Sequence, residues 1–177
     1  MSGRDLLYSD NVRLLEQGIA LLEELEDDLY AKPEPLVSLS GIGSHVRHCV
    51  DYYACFLGGL AERNVDFDKR ARDPRIETDR SHALERLRTL TTDLAQAKHA
   101  DARELRIKMD SGLDDESNAP WSVSSIEREL HFLMSHTVHH YALIAVILRA
   151  NGLEPPDDFG VAPSTLRHWE EKRACAR

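Results

Sequence analysis

Apolar residues fall at helical spacing over most of the chain. Leu6, Val12, Leu15, Ile19, Leu22 and Leu25 predict a first helix from about Arg4 to Tyr30, closed by Pro33 and Pro35. Val46, Val50, Tyr53, Phe56, Leu57 and Leu60 predict a second, from Ser40 or Ile42 to about Arg63, weakened by Gly58-Gly59. Residues Asn64–Thr78 have mixed charge, no clear period and a break at Pro74, so they read as a long connection. Leu84, Leu87, Leu90 and Leu94 mark a third helix over about Asp79–Lys98. The period then changes: Leu105, Ile107 and Met109 alternate with Arg106 and Lys108, as in a strand. Ser111-Gly112 reads as a turn and Trp121-Ser122-Val123 as a short partner strand, giving a small hairpin between helices three and four. Ser124-Ser125-Ile126-Glu127 fits a capping box with Ser124 as the cap, and the fourth helix runs from there to about Ala150, where Asn151-Gly152 stops it. A short helix over about Ser164–Ala174 ends the chain. These elements predict an all-α four-helix bundle in one domain over residues 1–177, with a core of about 4–150 and a C-terminal extension over 151–177.

The fourth helix carries the candidate chemistry. From Leu130 to Leu148 it has no Asp, Glu, Lys or Arg, yet it holds His131, His136, His139 and His140. A charge-free run at this spacing is buried on most sides, and buried imidazoles need partners. His136 and His140 are four apart and share one face. Two neutral imidazoles converging on one face can start a transition-metal site. The second helix offers His45 and His48, three apart, and one ring from that pair would complete a three-nitrogen set. Three nitrogens fill part of a first-row metal's shell and leave positions for water or substrate, as in catalytic zinc sites. The bland reading is a core histidine bonded to a carbonyl.

Composition narrows the function classes. The chain has 177 residues, 42% hydrophobic and 30% charged, as in an ordinary globular protein. A net charge of −9, from 31 acidic and 22 basic residues, argues against nucleic acid as a partner. Three irregularly spaced cysteines, Cys49, Cys55 and Cys175, argue against a disulfide framework and for a reducing compartment. The N-terminus turns acidic at once and lacks an apolar signal core, and four His and a Ser within Leu130–Leu148 disfavour a membrane span, so a cytoplasmic location is expected.

A helix-two segment Ile42-Gly43-Ser44-His45-Val46-Arg47-His48, a long second connection and His-x-x-His-His at residues 136–140 resemble the DinB/YfiT-like superfamily over about Arg4–Ala150. The resemblance implies a four-helix bundle in up-down-down-up order and a divalent transition metal, zinc or nickel with iron also suited, held by His48, His136 and His140. It also implies a small-molecule substrate, with transfer to a low-molecular-weight thiol as one reaction class, and pairing into a homodimer. The rival expectation is a non-catalytic metal-binding or stress-response protein. The chain departs from many relatives in having Tyr141-Ala142-Leu143 where they carry Arg-Gly-Gln, and Leu39-Ser40 where they carry a Trp.

The remaining polar residues have plain readings. Asp51 reads as a solvent-facing helix residue, or a carboxylate supporting the site. Tyr52, Tyr53 and Tyr141 read as core aromatics, Cys49 and Cys55 as packed thiols, and His139 as a neighbour of the ligands. His131 reads as a surface residue or hairpin partner; His82, His99 and His168 read as solvated. The tail from Phe159 is expected to fold over the pocket as a cover. No nucleotide-binding glycine loop, Ser-His-Asp arrangement or zinc-ribbon cysteine pair is present.

Overall fold

Four long helices carry the apolar stripes: α1 (Gly3–Glu24), α3 (Ile42–Gly59), α5 (Arg80–Ala97) and α6 (Ile126–Ala150). In this computed structural model, which describes residues 2–37, 39–98, 104–110 and 120–175, α1 packs against α5 and α6, and α3 packs against the same two. The helices therefore close a ring around a core that includes Leu15, Leu22, Tyr53, Phe56, Leu87, Leu94, Leu133 and Ile144. Among the described residues no helix is long and apolar enough to cross a membrane.

The first helix is shorter than its period suggests. Ser2 and Asp5 form a capping box at its start, but the helix stops before Leu25, whose backbone is extended, and a short α2 (Asp27–Ala31) follows. Leu25 and Tyr30 are both buried. Five residues apart on one continuous helix, they would point about 140° from each other. The break re-aims Tyr30, whose hydroxyl donates to the Ile76 carbonyl at the edge of α4 (Arg75–Thr78). The helix containing His48 also ends early. Gly59 stands so near Asn64 that a Cβ there would lie 2.4 Å from the Asn64 carbonyl oxygen, so the chain turns back at once into a strand.

That strand, β1 (Asn64–Asp66), belongs to the segment that reads as a long connection without a clear period. It joins β2 (Glu104–Lys108) and β3 (Ser122–Ser125) in the order β1-β2-β3. The expected antiparallel hairpin pair is present as β2 and β3, with Leu105 opposite Ser124, but β1 adds a parallel edge, with Val65 opposite Ile107. The small hairpin is thus corrected to a three-stranded mixed sheet. Three residues are too few to show alternation, and a parallel partner needs a crossover, here made through α4 and α5. Val65, Leu105 and Ile107 point into the core. The turn expected at Ser111-Gly112 lies outside the described residues.

The cap of α6 is Ser125, whose Oγ accepts from the Arg128 N–H at 3.2 Å, one residue later than expected. Ser124 is held in the strand pair, and its Oγ donates to Glu129 instead. After α6, Phe159 stacks on Tyr141 with ring centroids 4.6 Å apart. Gly160, at φ 72°, brings the tail backbone against Ala142. The start of α7 (Pro163–Cys175) lies beside His131, Met134 and Val138. That face of α6 points away from His136 and His140. These contacts line the tail along the outside of α6, not over the histidines as a cover.

Candidate metal centre

Helices α3 and α6 pack against each other, and their facing sides carry the imidazoles. His48 comes from α3, and His136 and His140 come from successive turns of α6. The His48 and His136 Nε2 atoms are 3.1 Å apart, and those of His140 and His136 are 2.9 Å apart. One ligand atom from each ring lies within 4.8 Å of the other two, and no fourth His, Cys, Asp or Glu joins the group among the described residues.

These separations fit a shared cation. Nitrogens each about 2.0–2.1 Å from one ion stand about 2.8–3.4 Å apart for right to tetrahedral angles. Hydrogen bonding fits them less well. The one in-plane lone pair or N–H at His136 Nε2 cannot align with both neighbours, whereas a central ion takes a lone pair from each ring. Protonation agrees. Burial, then the nearby His136 ring and the positive charges of Arg70 and Arg47, pushes the His48 ring down to about 4. Burial, then His139 and Arg70, does the same for His136, to about 4. Burial and the neighbouring rings take His140 to about 3. All three are neutral at pH 7, as metal ligation requires.

The two α3 histidines, equivalent by spacing, are separated by the fold. His48 enters the cluster, while His45 stands behind it, 6% exposed, with its Nδ1 2.9 Å from the Nδ1 of His140. His139 is exposed and only flanks His140, with ring centroids 5.2 Å apart. His131 and His168 are exposed. His82 is not solvated as expected: it is 14% exposed, and its Nε2 meets Asp73 Oδ2 at 2.9 Å.

Aromatic rings wall one side of the cluster. Tyr52 stands edge-on to His136 at 4.4 Å between centroids, Phe132 is 5.3 Å from the same ring, and Phe67 packs on Tyr52 at 5.1 Å. The Arg70 guanidinium lies 4.2 Å over the Tyr52 ring. The Tyr52 hydroxyl points to the Met109 sulfur, and that of Tyr53 donates to Asn11 Oδ1 at 2.7 Å, so both are engaged away from the three nitrogens. Asp51 overturns its solvent-facing reading. It is 4% exposed and accepts from Arg47 Nη1 at 2.9 Å, while Arg47 also pairs with Glu77. Cys49 is packed as read, its thiol pushed up to about 12 by burial. Cys55 Sγ donates to the Asp66 carbonyl.

The half-buried three-imidazole cluster lies between two helices of the ring, and a comparison with protein families places the chain that carries it. The sequence profile of the DinB family matches residues 1–171, and the chain belongs to that family. It is also 32% identical, over 109 residues, to a protein of Rhizopus delemar named FK506-binding protein 5. The match takes in 61% of this chain and 28% of that protein, so it spans little more than a quarter of the curated relative's length. No solved structure matches.

Proposed function

We propose that this DinB-family chain is a single domain, an up-down-down-up four-helix bundle, that binds one divalent transition metal through His48, His136 and His140 and uses it in thiol transfer to a small electrophile. The carrying observation is the convergence of three Nε2 atoms, with neighbouring pairs 2.9 and 3.1 Å apart, on rings that burial keeps neutral. The ring of helix contacts supports the bundle order, with the long connection after α3 as the crossover. Zinc, nickel and iron all suit an imidazole set.

Three neutral ligands leave the charge of a dication uncompensated and leave coordination positions open. When bound, such an ion lowers the pKa of a coordinated thiol or water, so that its anion exists at neutral pH. The residues around it serve that purpose. Tyr52, Phe67 and Phe132 present an apolar wall that keeps bulk water from one side. Arg70, over Tyr52, adds positive charge that favours an anionic sulfur nearby. The substrate class that follows is a low-molecular-weight thiol together with a small electrophilic partner.

Elemental analysis of the purified protein tests the first half: about one transition-metal ion per chain is expected, and none in the H140A variant. Assay with thiols and electrophiles tests the second. H140A should lose turnover together with its metal. Thiol transfer undiminished in metal-free H140A would overturn the proposal. A metal-loaded wild type inactive across such a panel would leave a binding protein and remove the transferase reading.

A further inference from the structure

His45 is the residue this reading does not use. It lies one turn before His48, buried, with Nδ1 2.9 Å from the Nδ1 of His140. Its Nε2 is buried and has no hydrogen-bond partner among the described residues. The Nδ1 atoms of His48 and His136 make no hydrogen bond to other described residues, so His140 is the one ring of the three whose second nitrogen is held.

Two ring nitrogens facing each other share a single proton. If His45 supplies it, the His140 Nδ1 is the acceptor, and the neutral His140 ring must carry its own proton on Nε2. That nitrogen then has no lone pair for a metal. If His140 supplies it, the proton is on His140 Nδ1, the lone pair of Nε2 is free, and Nε2 already stands 2.9 Å from that of His136. Which tautomer a histidine adopts is set by the bond its other nitrogen makes. A ligating histidine commonly donates that second N–H to a carboxylate or a carbonyl. Here the acceptor is a neutral ring, which orients the ligand without adding negative charge at the centre.

We infer that His45 is a positioning residue for the metal site: its unprotonated Nδ1 accepts from His140 Nδ1–H and holds His140 in the tautomer and orientation that bind the ion. The inference rests on the metal reading proposed above. A ring accepting at Nδ1 carries its proton on Nε2, which in His45 is buried and has no partner among the described residues. A buried N–H without a partner is unfavourable, and the arrangement is consistent with a gain at the neighbouring ligand that offsets it.

The test uses the full chain, zinc as the probe ion and a competing chelator to measure affinity. His45→Phe keeps a buried ring and removes the acceptor; His45→Asn places a carbonyl oxygen near the position of Nδ1. With helix content and metal-free melting unchanged, H45F should bind zinc about 10–100-fold more weakly, the range for loss of a group that orients a ligand. H45N should recover most of that loss. In zinc-loaded wild type, long-range proton–nitrogen correlation should place the His45 proton on Nε2 and the His140 proton on Nδ1. Zinc affinity in H45F equal to wild type, failure of H45N to recover affinity, or a proton on His45 Nδ1 would each overturn the inference while leaving the metal site standing. Wild type that takes up no zinc would instead overturn the metal reading, and this inference with it.

Discussion

Burial holds the His48 and His136 rings near pKa 4 and His140 near 3, against 6.5 for an ordinary imidazole. An unfolded chain therefore takes up protons at these positions as pH falls through 6.5, while the folded chain does not until pH 4 or below. Over that window the unfolded state binds more protons, so stability declines as pH falls and the decline levels off once the folded rings titrate. Melting of the metal-free protein should be steady above pH 7 and should fall between pH 6.5 and 4. A variant with Gln at 48, 136 and 140 should show a shallower fall; identical profiles would contradict the burial of these rings. The pairing of His136 with His140 is legible in the sequence, because four residues return a helix to the same face. The choice between His45 and His48 is not legible from spacing, although the family resemblance points to His48. Both point inward from one helix, and three residues of rise, about 4.5 Å, decide which ring reaches the cluster. That offset belongs to the packing of α3 on α6. Arg47 reaches Asp51 from four residues earlier on the same helix, which spacing allows, but the burial of Asp51, the pairing of Arg47 with Glu77 and that of His82 with Asp73 are set by the fold.

Within the elements, two glycines of α3 have opposite meanings. A Cβ on Gly43 would lie 2.0 Å from the Glu77 carbonyl oxygen, so this residue sets how closely the start of α3 approaches α4. A Cβ on Gly58 meets nothing within 4 Å. Gly43→Ala should destabilise by about 1–3 kcal/mol, the usual cost of forcing atoms into a packed contact. Gly58→Ala should stabilise by roughly 0.5–1 kcal/mol through helix propensity alone. Urea denaturation midpoints should move in opposite directions; a neutral G43A would show that α4 can retreat freely. Periodicity located α5 and α6 to within about two residues because their apolar positions repeat over many turns. It missed the break at Leu25 because each side of the break keeps a helical pattern, and it missed β1 because a three-residue strand has no period to read.

For the molecule as a whole, the cluster joins α3 to α6 across 88 residues of sequence. An ion held by all three rings binds the folded chain far better than the unfolded one, and so adds stability by mass action, about 2.7 kcal/mol at a free concentration 100 times Kd. Zinc should raise the melting temperature of wild type, a chelator should return it to the metal-free value, and H48A should respond to neither; a wild-type melting temperature indifferent to zinc would argue against a shared site. The sequence by itself determined the helices, the inward faces of α3 and α6, and the shared face of His136 and His140, because these follow from the local repeat of the chain. The tertiary structure decided what spacing left open: that His48, the residue the family resemblance points to, meets those two rings while His45 stands behind His140, that a third strand joins the sheet, and that the tail lies along the outer face of α6. Each depends on how far one element slides or turns against another distant in sequence, and no local pattern of residues carries that information.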